Sequence, residues 1–516
     1  MHMTQCFTFG RAVLPAVLGV AAFTCGCTAH NHLTKGTVIP ADTYAIVASA
    51  SVANDSDWND AIVNELKKKN PNATVLTWEK DVNEVREALA ALQPSFTAFA
   101  VKPGEAGVRF TITVSHMTRR LDDDPYTDTL WGVITGYDAD SARKVAAAGP
   151  IAIERALDCS GCDLTAFQKA WRYSEDHRGT MKTWDATVQN PQVVTSECNT
   201  DNTLGVLERL QIDKVQFLAT SGHATQHDWQ MGYCGPNMVM THKEGQLLAL
   251  DTEDNGYFIQ NDEPKVYFAN GNCLIGDIDQ RDCMALTWMR SGGVRQMMGY
   301  TVTTWFGAQG WGTLGLYTDT AGMTTAAEAF HFTNAGIVHT LENAIEITGA
   351  TDIRDCKLGK IAQLNRPLTR QLLTWHSELT PDEQNVHRDF VQQVIGNLHD
   401  RDVVCFYGDP ALDTHIAKGR FSVLPPTYNP MTRELTLTLH SVSAKRDGAV
   451  WFRLPGSWEY DVGTLEASEA LGQPDLCLDN MIRFPNAKVT EGKTYTVTLK
   501  VAKNFGENCP ACDENK

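Results

Sequence analysis

Two stretches, Val215–Trp229 (VQFLATSGHATQHDW) and Val266–Asp277 (VYFANGNCLIGD), decide how this chain is read. Each opens with a short apolar run that reads as a buried strand and ends on one reactive side chain. That side chain is His223 in the first and Cys273 in the second, 50 residues later. Adjacent parallel strands deliver their C-terminal ends to one sheet edge, so the pair would bring an imidazole to a thiol. A thiol beside an imidazole is the arrangement of a cysteine nucleophile.

Outward from this pair, strand and helix patterns alternate. Thr43–Ser49, Ala73–Trp78 and Ser95–Val101 are β-rich apolar runs. Between them, Trp58, Ile62, Val63 and Leu66 fall at helical spacing. So do Val82, Val85, Leu89 and Leu92, behind an Asp81/Glu84 capping box. Further strands are expected within 214–220, 265–270 and 294–302, with a helix over Cys283–Arg290 and longer helices within 324–346 and 380–398. Such alternation predicts a mostly parallel sheet flanked by helices. Beyond residue 412 the period changes to two: Leu435, Leu437 and Leu439, then Tyr495, Val497, Leu499 and Val501. That pattern predicts an antiparallel sandwich of about 85 residues.

SGHATQHDW (221–229) resembles the Gly-His-Gly strand end, with a Trp shortly after, of the gingipain-type cysteine peptidases, relatives of the caspases. NCLIGD (272–277) is similar to that family's Cys-x-x-Gly-Asp, and 282–305 to the helix, strand and Trp that follow the nucleophile. Tyr407–Leu412 (YGDPAL) resembles its closing Gly-Asp-Pro. Ala224 departs from the pattern, standing where the family has Gly, and the His-to-Cys spacing is longer, as an inserted loop would make it. The resemblance implies a caspase-like α/β fold of two halves followed by an immunoglobulin-like module. It implies Cys273 as nucleophile, His223 as its partner, and Thr303, Thr304 and Trp305 in the primary specificity pocket. Family members bind calcium for stability, so calcium is expected at most as a structural ion; no cofactor is required, and no EF-hand loop is present.

Peptide hydrolysis needs a nucleophile, a proton donor for the leaving amine and stabilisation of the tetrahedral oxygen. The backbone N–H groups of Cys273 and Ala224 would form the oxyanion hole, provided φ at Ala224 is negative. Cys283 is a rival nucleophile, but it falls in the expected helix. His223 and His227 form H-x-x-x-H without the Glu of a zinc peptidase, Ala224 standing in its place, so no metal is assigned to them. No G-x-S-x-G elbow accompanies the matching blocks. Asp277 reads as structural; the carboxylate that would orient His223 is unassigned, with Asp122, Asp123 and Asp124 as candidates.

At the N-terminus Arg11 precedes a short apolar stretch ending Cys25-Gly26-Cys27, which resembles a bacterial lipoprotein signal with Cys27 as the lipidated residue. Of 14 cysteines, removing Cys6, Cys25 and Cys27 leaves an odd number, so five disulfides and one free thiol, Cys273, would fit an exported protein. Cys159–Cys162 and Cys509–Cys512 read as structural disulfides, with metal binding as the alternative. A net charge of −18 argues against a nucleic-acid partner, which needs clustered Lys and Arg. The partners expected are protein or peptide substrates, with membrane contact only through the lipid anchor, in the cell envelope or secreted.

The chain therefore divides into a signal peptide (1–26), an anchor linker (27–40), an N-terminal α/β half (41–154) and a cysteine-containing connecting segment (155–200), expected to be irregular. A catalytic half (201–415), the sandwich (416–503) and a polar tail (504–516) follow. The function expected is an exported cysteine endopeptidase. The alternatives are a catalytically silent surface binding protein on the same fold and, through the same thioester, an acyl transferase.

Overall fold

The computed structural model describes residues 42–504, apart from 175–176, 198–199, 234–236, 349–365, 418, 444–445 and 457. The signal and lipidation expectations at 1–27, the linker and the Cys509–Cys512 pair lie outside the described residues.

Nine strands lead up to His223: β1 Tyr44–Ser49, β2 Thr74–Trp78, β3 Phe96–Ala100, β4 Leu130–Ile134, β5 Arg155–Cys159, β6 Lys169–Tyr173, β7 Thr180–Asp185, β8 Val194–Glu197 and β9 Phe217–Thr220. A small sheet follows (β10 Asp228–Gln230, β11 Val239–Lys243, β12 Gln246–Leu250, β13 Gly256–Ile259), then β14 Lys265–Ala269, β15 Val294–Tyr300 and β16 Val404–Tyr407. Twelve of these form one sheet, in the order β2-β1-β3-β4-β16-β15-β14-β9-β5-β6-β7-β8. It is parallel except at β15–β16, β6–β7 and β7–β8. Strands β1, β14 and β15 are buried along their whole length, because helices cover both faces of a parallel sheet. Their side chains share one apolar core.

β16 joins the two α/β halves: it runs antiparallel to β15 and parallel to β4, where Tyr407 pairs with Val133. The mostly parallel, helix-flanked sheet is thus the fold class expected. Two details differ from the sequence reading. The stretch expected to be irregular carries β5–β8 and widens the sheet by four strands. The extra length between His223 and Cys273 is no simple loop but the antiparallel sheet β10–β13, whose Trp229, Met240, Leu247 and Ile259 pack into the main core.

Beyond residue 420 come β17 Phe421–Asn429, β18 Glu434–Ser441, β19 Arg446–Arg453, β20 Trp458–Ala467, β21 Leu476–Cys477, β22 Met481–Val489 and β23 Thr494–Asn504. They form two antiparallel sheets, β17-β18-β23-β20 and β19-β22-β21. Leu435, Leu437, Leu439, Val497, Leu499 and Val501 fill the space between them, as period two requires. The sandwich docks on the α/β block: Trp451 stacks on Phe332 at 5.3 Å, and Arg453 bridges Glu328 and Asp42.

Candidate active site

β9 and β14 are parallel neighbours with Thr220 opposite Ala269. The chain leaves β9 through Ser221 and Gly222 to His223, and leaves β14 through 270–272 to Cys273. Gly222 has φ +115°, a conformation left to glycine. A Cβ there would meet Gln230 O and lie 2.7 Å from Gly232 N. Three successive carbonyls around His223 are held. Ser221 O accepts from buried Trp229 Nε1 at 2.8 Å, Gly222 O from Asn272 Nδ2 at 3.1 Å, and His223 O from Gln230 N at 2.8 Å.

Cys273 is partly exposed, and its Sγ receives the Thr304 N–H at 3.3 Å. The next residue, Leu274, is left-handed (φ +59°), and its N–H goes to Val302 O at 3.0 Å. Gly276 N then bonds Tyr300 O at 2.9 Å, so the loop after the thiol folds back along the end of β15. Asp277 accepts from Val108 N at 3.0 Å and Gln226 Nε2 at 3.2 Å, tying the cysteine loop to the histidine loop. Burial pushes its carboxyl above the usual range. These contacts match the structural part read for it.

The imidazole of His223 is exposed and meets the Tyr233 ring edge-on at 5.4 Å. Among the described residues it makes no hydrogen bond, to Cys273 or to a carboxylate. The candidates Asp122 and Asp124 lie elsewhere, beside Asp128 and Asp479. Ala224 is not among the residues of positive φ. It sits opposite Trp229 in a bridge whose bonds are made by its neighbours, Gln230 N to His223 O and Thr225 N to Asp228 O. Its own N–H, like that of Cys273, has no acceptor among the described residues.

Thr303 and Trp305 are exposed, Trp305 at 73 %, and Thr304 between them touches the cysteine sulfur. His399 Nε2 lies 3.0 Å from Thr303 O. Cys283 is fully buried at the N-terminus of the helix Met284–Ser291, and burial pushes its thiol up to about 12. His227 turns away from His223 to Asp279 (3.3 Å) and His242, so the H-x-x-x-H pair does not converge.

The disulfide expected at Cys159–Cys162 is not formed, nor is any other among the described residues. Instead the Asp158 carboxylate organises that turn, accepting from Ser160 N, Gly161 N and Cys162 N at about 3.0 Å and pairing with Arg172. A carboxylate that gathers three N–H donors closes the loop without a covalent bridge.

One cluster of metal-type ligands occurs among the described residues: Asp122, Asp128 and Asp479, with ligand atoms within 4.8 Å of one another. Burial and mutual repulsion raise Asp128 to about 10 and Asp479 to about 6. Asn480 Oδ1, in a small cavity that Asp128 and Asp479 also line, has no partner among the described residues. Three carboxylates and an orphaned amide oxygen are hard donors of the kind calcium takes, so these residues fit the ion.

No family model matches the chain, and no curated protein matches it. Among solved structures it is similar to the complex of Porphyromonas gingivalis RgpB pro- and mature domains, with a TM-score of 0.35 and 9 % identity over 90 % of this chain and 95 % of that one. It is also similar to a structure described as a protease, with a TM-score of 0.37 and 10 % identity over 91 % and 97 %. Neither likeness bears on which residues act.

Asn272 and the Thr304 N–H escaped the sequence reading as parts of the site, and Trp229 was read only as part of the histidine motif, not as a clamp on Ser221 O. The polar Asn before Cys273 was the available signal, but in NGNC it reads as turn composition.

Proposed function

We propose that the protein is an exported cysteine endopeptidase. The observation that carries this reading is the parallel β9–β14 pair, whose ends lead to an exposed imidazole and a partly exposed thiol on loops clipped together by Asn272 and Asp277.

The Cys273 thiolate attacks the substrate carbonyl carbon. As the C–S bond forms, the carbonyl π pair moves to oxygen, which the uncommitted N–H groups of Cys273 and Ala224 receive. His223 gives its proton to the amine, the C–N bond breaks and a thioester remains. Water then adds to the thioester carbon, losing its proton to His223, and the thiolate leaves. The carbonyl being cleaved sits between the two side chains, so a direct Cys–His hydrogen bond is not required. Thr303, Thr304 and Trp305 bind the side chain preceding the cleaved bond. Trp305 supports this reading, since it is exposed one residue beyond the group that touches the sulfur.

Residues 1–26 direct export and Cys27 carries the lipid; loss of palmitate incorporation in Cys27→Ser tests this. Asp122, Asp128, Asp479 and Asn480 would hold calcium, whose charge would favour the ionised form of Asp128 that burial otherwise keeps protonated, and would tie the loop before β4 to the sandwich. A thermal transition that rises with calcium and falls with chelator tests it.

For the peptidase itself, the chain from residue 28 and its Cys273→Ala variant are each incubated, reduced, with denatured proteins, and new N-termini are sequenced. New termini sharing a preceding residue and absent from the variant are expected. Equal termini from both would refute the assignment. None from either, with Cys273 unreactive to alkylation, would favour the silent binding protein.

A further inference from the structure

Among the described residues no carboxylate fixes the His223 imidazole, yet its backbone is held at three successive carbonyls. One side chain connects that constraint to the nucleophile. Asn272 immediately precedes Cys273 and is fully buried. Its Oδ1 accepts from Thr220 Oγ1 at 2.6 Å, and Thr220 lies 2.9 Å from Tyr267 Oη. Its Nδ2 donates to Gly222 O at 3.1 Å. A carbonyl can only accept, so the amide orientation is set by chemistry: nitrogen toward Gly222, oxygen toward the hydroxyl.

We infer that Asn272 is a positioning residue for the Cys273–His223 pair, fixing His223 through the peptide plane that carries it. This rests on the peptidase reading. The carbonyl it grips belongs to the Gly222–His223 peptide, so rotating that plane swings the His223 Cα–Cβ bond. Turning that plane rotates ψ of Gly222, and a residue without a Cβ offers little steric resistance to such rotation by itself. Asn272 therefore supplies through the backbone what a carboxylate would supply at the ring. Since it neighbours Cys273, the same amide sets the separation of acid and nucleophile. Thr220 and Tyr267 hold it from below.

The test compares Asn272→Asp and Asn272→Leu with the parent on a cleaved peptide, from about pH 5 to about pH 8. Leu cannot bond Gly222 O, and kcat is expected to fall about 10- to 100-fold with little change in KM, the scale of a small misplacement of catalytic groups. In Asn272→Asp the ionised carboxylate would also lack a donor, but its protonated form regains one. Burial favours that form, so the activity of the Asp variant relative to the parent should climb as pH falls, while that of the Leu variant stays flat. Dividing by the parent cancels the ionisations all three share.

A second readout is independent of turnover. The His223 ring resonance in the NMR spectrum should be single in the parent, broadened or shifted in the Leu variant, and restored toward the parent at low pH in the Asp variant. Full activity of both variants, a loss confined to KM, or an Asp-to-parent ratio that does not vary with pH would overturn the inference, as would an unmoved ring signal. If the parent hydrolyses nothing, the peptidase reading fails, and the ring signal still decides the positioning role.

Discussion

Adding one methyl group at Gly222 should cost both stability and chemistry. The backbone there sits at φ +115°, and holding an L-residue in such a region costs about 1–3 kcal/mol. The new Cβ would press on Gln230 O and approach Gly232 N at 2.7 Å, both backbone atoms. Gln230 N is bonded to His223 O, so relief means moving the histidine itself. Over-packing of this kind adds about 1–3 kcal/mol. Gly222→Ala is therefore expected to destabilise by about 2–6 kcal/mol and to lower kcat/KM by at least about 100-fold. Gly315, in the helix Ala308–Asp319, is the control: a Cβ there meets nothing within 4 Å. Gly315→Ala should stabilise by about 0.5–1 kcal/mol and leave activity unchanged. Urea unfolding followed by tryptophan fluorescence, read at the first transition because the chain has more than one core, measures both. A Gly222→Ala variant as stable and active as the parent would refute the tight strand-end geometry.

Three further outcomes are expected. Iodoacetamide at pH 8, mapped by peptide mass, should label Cys273 and spare native Cys283, whose thiol, pushed up to about 12, is ionised to about one part in ten thousand; equal labelling would contradict the burial. Lys265 is fully buried, donating to Glu263 O and Gly292 O, and burial brings its ammonium down to about 7. Its folded value lies below the unfolded value of about 10.4, so the unfolded chain binds more protons between roughly pH 7 and 10, and this contribution to stability rises with pH there; the urea midpoint of the parent minus that of Lys265→Met should climb over that window, and a flat or falling difference would refute it. Asp128→Asn keeps the shape of a carboxyl that burial raises to about 10, so calcium-free protein should be at least as heat-stable as the parent while the calcium-dependent rise disappears; an unchanged rise would exclude Asp128 as a ligand.

The parts of the fold legible in the sequence are those buried on both faces. β1, β3 and β14 read as largely apolar runs because a parallel sheet covered by helices leaves few positions for polar side chains. The sandwich was legible for the opposite reason, since β18 alternates strictly between core and solvent. β7 and β8 were not: Thr180–Asp185 is largely half-buried, Val194–Glu197 is exposed, and β7 is placed by pairing to β6 and β8 by pairing to β7 rather than by any apolar pattern. At the candidate site, the apolar runs of β9 and β14 gave away the two strands that lead to His223 and Cys273. The clamp between them was hidden, because Asn272 becomes informative only once Thr220 and Gly222 lie on either side of it. The Cys159–Cys162 reading failed because spacing alone cannot show that Asp158 already holds the turn.

The most direct test of the Cys273–His223 site is covalent capture. A mixed-sequence library of peptidyl acyloxymethyl ketones, which modify a thiolate held beside a catalytic histidine, is incubated with the chain from residue 28 and read by intact mass and peptide mapping. One adduct is expected, on Cys273, and it should be lost in His223→Ala. An adduct on another cysteine, or a Cys273 adduct formed equally well without His223, would contradict the assignment.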